Sequence, residues 1–198
     1  MSRNSLILGR TGYDEAVPAL LEGPPSSGEY RDLVRRLFQS HCVLAVLASG
    51  SEGRGSEACR GIAAELAGAG SRVVIVQVEA LLRTSQLPDV TAFLPGRTPG
   101  VSIWPTGAAA PVEFFQSSAP PPPSGNWLDS LLRDFDAVVL DCPPAGAATA
   151  GADIAAMADS AVLVVEARRT TKQQIQQDQR TLRLRGVKLA GCILMKQR

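Results

Sequence analysis

Three glycines, Gly50, Gly53 and Gly55, space a short loop that reads SGSEGRGSE from Ser49 to Glu57. An apolar run from Val43 leads into it, and a helical pattern from Ser56 to Ala69 follows. Strand, glycine loop and helix are the layout that turns backbone N–H groups and a helix N-terminus toward a phosphate. The full signature is G-x-x-x-x-G-K-[ST]. Gly50 and Gly55 stand at its glycine separation, but Ser56 takes the place of the lysine and Glu57 that of the metal-binding hydroxyl. The missing lysine removes a charge-assisted contact worth about 1.5–3 kcal/mol. A glutamate facing a phosphate at ~4 Å repels it by about 4 kcal/mol per unit charge at an effective dielectric near ~20. Arg54, inside the loop, offers partial compensation or points to solvent.

A second chemical position is Asp141, at the end of AVVLDCPP (Ala137 to Pro144). A carboxylate directly after a buried strand is Walker-B-like and holds a hydrated Mg2+ against phosphates. It serves equally as a turn or helix cap. Glu79 follows a third apolar run in VVIVQVEALLR (Val73 to Arg83) and is a weaker metal candidate. A nucleotide in such a sheet sits at the carboxyl edge, where these three runs end.

The elements that must position these residues alternate. Helical spacing marks Ser27 to Gln39, with Arg31, Arg35 and Arg36 around Leu33, Leu37 and Phe38. Strands are predicted at Val43, Val73 to Val78, Val101 to Trp104, Ala137 to Leu140, Ala161 to Val165 and Leu189 to Leu194. Helices are predicted at Asn126 to Phe135, Asp153 to Met157 and Thr171 to Leu184. Leu81 to Pro99 reads as loop with room for a short helix. Runs without alternation suit parallel strands covered on both faces, and the order implies a doubly wound, mainly parallel α/β sheet. Residues 1–28, broken by Pro18, Pro24 and Pro25, read as an irregular arm, and residues 29–198 as one domain. Pro105 to Gly125, with Pro120 to Pro123, is a stiff connector or a docking ligand.

Composition narrows the classes. The chain has 198 residues, 45% hydrophobic and 20% charged, with a net charge of +1. That balance gives no electrostatic support for a nucleic-acid partner. No apolar run reaches the ~18–20 residues that span a bilayer, and no signal-peptide pattern opens the chain, so a cytoplasmic location is expected. Cys42, Cys59, Cys142 and Cys192 show no C-x-x-C spacing and read as reduced thiols.

From about Ser27 to Arg198 the chain resembles the cytoplasmic kinase domain of bacterial tyrosine kinases (BY-kinases) of capsular and exopolysaccharide export. These domains are similar to the MinD and ParA ATPases, a P-loop NTPase-like fold. The resemblance rests on the Val43–Val76 segment, on FDAVVLDCPP, on ADSAVLVVEARRTTKQQI and on VKLAGCILMK. It implies ATP and Mg2+ as cofactors and tyrosine phosphorylation as activity. The departures point the other way. The family's D-x-D-x-R is replaced by Gln77, Val78, Glu79 and Ala80 with a displaced Arg83, and Met195 stands at an adenine-reading asparagine. The family's tail tyrosine cluster has no counterpart, the sequence's tyrosines being Tyr13 and Tyr30. The ring-forming E-x-x-R-x-x-R is half kept, as Glu29, Asp32 and Arg35.

Three expectations follow. The first is a catalytically inactive homologue, needing no cofactor, that acts as an interaction or regulatory component of polysaccharide biosynthesis and export. Its implied partner is the cytoplasmic end of a membrane-bound chain-length or export protein, or a kinase homologue. A homo-oligomer is a further expectation, and the inner membrane would be reached through the partner. The Arg31, Arg35 and Arg36 face is either that docking surface or a solvated helix face. The second expectation is a weak ATP-binding enzyme using Asp141, Glu79 and the loop amides. The third is a MinD/ParA-like organiser.

Overall fold

The computed structural model describes residues 20–22, 27–38, 43–50, 54–83, 94–104, 127–147 and 149–195. In chain order the elements are β1 (Leu20–Glu22), α1 (Ser27–Leu37), β2 (Val43–Ser49), α2 (Arg54–Gly68), β3 (Val73–Gln77), α3 (Val78–Leu82) and β4 (Leu94–Pro95). They continue with β5 (Val101–Trp104), α4 (Trp127–Asp134), β6 (Ala137–Asp141), α5 (Thr149–Ala155), β7 (Ser160–Glu166), α6 (Lys172–Leu184) and β8 (Leu189–Met195).

The strands form one sheet in the order β1-β8-β7-β2-β6-β3-β5-β4. Every pairing is parallel except that of β4 with β5. β2 lies in the middle, between β6 and β7, and is buried along its whole length. Helices on both faces explain why its sequence does not alternate. Its side chains still divide by the two-residue period of a strand. Leu44 and Val46 join Ile62, Leu66, Leu33 and Leu37 under α1 and α2. Val43, Ala45 and Leu47 join Leu81, Leu131, Ile154 and Leu182 under α3 to α6. On that second face Trp104 and Trp127 stack with ring centroids 5.7 Å apart.

Four details differ from the sequence reading. Within residues 1–28, expected as an irregular arm, Leu20–Glu22 forms a parallel edge strand on Cys192–Leu194. Three residues are too few to show a period. Leu94–Pro95 likewise makes a two-residue antiparallel edge in the stretch read as loop. Val78, expected to end β3, instead opens α3, because the chain turns at the exposed Gln77. α5 begins at Thr149, four residues before the expected start, and passes close over Pro143 at Gly151. A Cβ there would lie 3.0 Å from the Pro143 ring, so a glycine is what lets the helix pack down. The Pro105–Gly125 connector and Tyr13 lie outside the described residues.

Candidate functional site

β2, β6 and β3 end side by side, and the loop begins where β2 stops. Ser49 is the last strand residue, and Gly50 has φ +89°, a left-handed turn that favours glycine. Gly53 lies outside the described residues. The chain re-enters as α2 at Arg54, two residues earlier than the periodicity predicts, so Gly55, Ser56 and Glu57 all belong to the first helical turn.

Asp141 closes β6, in register with Val46 of β2 on one side and Gln77 of β3 on the other. Its carboxylate accepts hydrogen bonds from the Ser56 hydroxyl and the Cys59 thiol, both on α2. Burial pushes the Asp141 carboxyl above its ordinary range, opposed by those two hydrogen bonds and the Arg60 charge, while the Glu79 charge adds to the rise. The Cys59 thiol is itself pushed well up, by burial first and then by the neighbouring Asp141 charge. Gly55 packs under this cluster, its missing side chain facing Ala48 and Asp141 Oδ1 at van der Waals distance.

The glycine spacing places the hydroxyl position at Glu57; in the structure it is Ser56 whose hydroxyl meets Asp141. Glu57 turns to Arg54, whose Nη1 donates to Oε2 at 2.9 Å. The Arg54 charge is therefore engaged within its own turn rather than left to solvent. Glu79 is exposed on α3 and forms an ion pair with Arg83, one turn on. Gln77 is exposed at the end of β3. Met195 is buried as the last residue of β8. Among the described residues no group of three or more His, Cys, Asp or Glu is placed to hold a metal ion. Asp141 with the Ser56 hydroxyl still fits a hydrated Mg2+, which takes one or two protein ligands and otherwise water and phosphate. The first helical turn carries no lysine to neutralise phosphate.

The structure adds a residue that sequence reasoning missed. Asp178 of α6 is 2% exposed. Its Oδ2 accepts from Ser49 Oγ at 2.5 Å and its Oδ1 from Gln174 Nε2 at 2.9 Å. Thr170 Oγ1 donates to the Ser49 carbonyl at 3.2 Å. Both ends of Ser49 are thus held by the segment leading into and through α6, which fixes the point where the loop departs. The signal was present: Asp178 falls between Ile175 and Leu182 on the buried stripe of the helix. A pocket of about 330 Å³ opens beside it, between α6 and the Ala145–Ala147 turn.

The arginines of α1 separate from this site. Arg31 reaches Glu65 of α2 at 3.5 Å, while Arg35 and Arg36 are exposed, Arg35 opposite Leu33 and Leu37 and Arg36 at the flank of that apolar stripe.

No protein-family model matches the chain. The tyrosine-protein kinase CpsD of Streptococcus agalactiae is 24% identical over 204 aligned positions, covering 92% of this chain and 89% of that protein. The BceF tyrosine kinase domain superposes with a TM-score of 0.69 at 23% identity, over 86% of this chain and 77% of that one. The kinase domain of the Escherichia coli tyrosine kinase ETK gives 0.62 at 16% identity, over 87% and 76%. The VpsO kinase domain gives 0.64 at 20%, over 85% and 91%. A nearly full-length sequence match and a shared sheet agree with the order of motifs read above. The chain is therefore similar over most of its length to a bacterial tyrosine-protein kinase and has the doubly wound, mainly parallel α/β fold of these kinase domains.

Proposed function

We propose that the chain is a non-catalytic relative of these kinases, kept as an interaction or regulatory component of polysaccharide biosynthesis and export. The observation that carries this reading is the first turn of α2. It offers Gly55, Ser56 and Glu57 where the fold's chemistry needs a lysine, and its one cation, Arg54, is drawn to Glu57. Phosphoryl transfer depends almost wholly on positioning and charge neutralisation, so a loop without its cation binds phosphate poorly. By family resemblance the partner is the cytoplasmic end of a membrane-bound chain-length or export protein, or a kinase homologue, and the exposed Arg35 and Arg36 of α1 suit an acidic tail. Calorimetry with ATP and Mg2+ tests the first half of the reading: no binding tighter than roughly millimolar is expected. Micromolar affinity would refute it.

A second reading has one observation in its favour. The Ser56 hydroxyl against Asp141 is the pairing through which a P-loop serine and a Walker-B aspartate share a magnesium ion. On that reading Mg2+ supplies charge neutralisation of a bound nucleotide. Ser56 and Asp141 would hold it, with the backbone N–H groups of the first turn of α2 facing the phosphates. ATP binding that requires Mg2+ and vanishes in Ser56→Ala would favour it.

A further inference from the structure

We propose that the outer face of α6 is a docking surface for an anionic lipid membrane, a contact separate from the α1 surface assigned to a protein partner. Lys172, Arg180 and Arg183 all lie exposed on this helix. At 1.5 Å per residue they span roughly 16 Å, and by helical angle they share its outward side. The only acid from Lys172 to Leu184 is Asp178, and it points inward to Ser49 and Gln174. Two nearby acids are already engaged: Asp153 of α5 takes Arg185 at 2.9 Å and Glu166 takes Arg169 at 3.4 Å. In a chain of net charge +1, this helix presents a cationic strip with no counter-charge on its own surface.

Helix stability does not account for the strip. Arg183 in the last turn complements the macrodipole, but Lys172 opens the first turn, where a cation is disfavoured and no acid accompanies it. Thr171 already caps that end, its side chain accepting from the Gln174 N–H at 3.1 Å.

The apolar component lies at the other end. Leu184 is 82% exposed and Met157 43%, the two large hydrophobic side chains left outside among the described residues. Leu184 sits between Arg183 and Arg185, and Lys188 follows, exposed. The Arg185–Asp153 pair ties this end of α6 to α5, whose next turn leads to Met157. An exposed leucine among arginines suits the headgroup boundary, with cations at the phosphates and the apolar tip below them.

The test is co-sedimentation of the full chain with vesicles of phosphatidylcholine alone and of phosphatidylcholine mixed with anionic phosphatidylglycerol. Binding is expected only to the mixed vesicles and should weaken as salt rises. The triple variant Lys172→Gln, Arg180→Gln, Arg183→Gln should lower the partition coefficient about 100-fold, since each cation near an anionic surface contributes roughly a five-fold factor. Leu184→Ser, a change at a solvent-exposed tip, should weaken binding without altering the melting temperature. Equal binding to both vesicle types, or binding unchanged in the triple variant, would overturn the proposal. So would a failure to sediment with the mixed vesicles together with retention on a polyglutamate peptide that the triple variant loses, which would assign the strip to an acidic protein segment.

Discussion

Asp141 carries the clearest consequence of a single side chain in its surroundings. Its carboxyl is held above the ordinary range because burial outweighs the hydrogen bonds from Ser56 and Cys59 and the Arg60 charge. The folded state therefore binds this proton more readily than the unfolded chain does. Stability then falls as pH rises from the ordinary aspartate value, ~3.9, through the raised folded value, and the ionised carboxylate remains a cost at neutral pH. Asp141→Asn removes the charge and keeps an acceptor for the Ser56 hydroxyl. The variant should melt above the parent at neutral pH, and the gain should shrink as pH falls toward ~4. Melting curves over a pH series check this; a variant that melts lower throughout would mean that the two hydrogen bonds dominate. The Asp141 position was legible because a carboxylate after an apolar run is a local pattern. Its partners were not. The sequence marks Ser56 only as the place of a missing lysine and Cys59 only as a reduced thiol, because the hydrogen bonds they make cross from α2 to β6. The burial of Asp178 is readable from its place between Ile175 and Leu182, but its partner is not, since Ser49 lies 129 residues away.

At the scale of elements, the long buried strands and helices were readable from apolar runs and helical spacing, and the short ones were not. β2 and β7 are seven residues each and wholly buried, so their runs stand out in the sequence. β1 and β4 have three and two residues, and backbone pairing with a neighbour makes them strands. The start of α2 at Arg54 was obscured because glycine-rich segments carry little propensity, yet the loop's chemistry depends on it. α5 makes an element-scale prediction. Its Gly151 lies against Pro143, and a Cβ would stand 3.0 and 3.1 Å from two atoms of a ring that cannot rotate away. Gly151→Ala should lower stability by about 1–3 kcal/mol, because the helix must lift from the turn after β6. Urea denaturation measures it, and an unchanged midpoint would show that α5 shifts freely. Since that turn carries Ala145 and Gly146 beside Asp178, displacement of α5 should also alter the pocket there.

At the scale of the molecule, the sheet divides the interior in two, and each half holds its own sulfur. Cys59 lies in the layer under α1 and α2, whereas Cys142 and Cys192 lie in the layer under α3 to α6. All three are free and buried, and burial raises each thiol, that of Cys192 to about 11. A thiol reagent at neutral pH therefore meets neither access nor thiolate until the protein opens. In a Cys42→Ser background, which removes the one cysteine outside the described residues, the labelling rates of the three thiols become clocks for the two layers. If the central sheet breaks only as a unit, all three should react at one rate that follows global unfolding. A faster Cys142 and Cys192, read by mass spectrometry of the peptides, would show that the α5–α6 side loosens alone. It would also mean that the flank carrying α6 can open and close while the layer beneath the glycine loop stays shut.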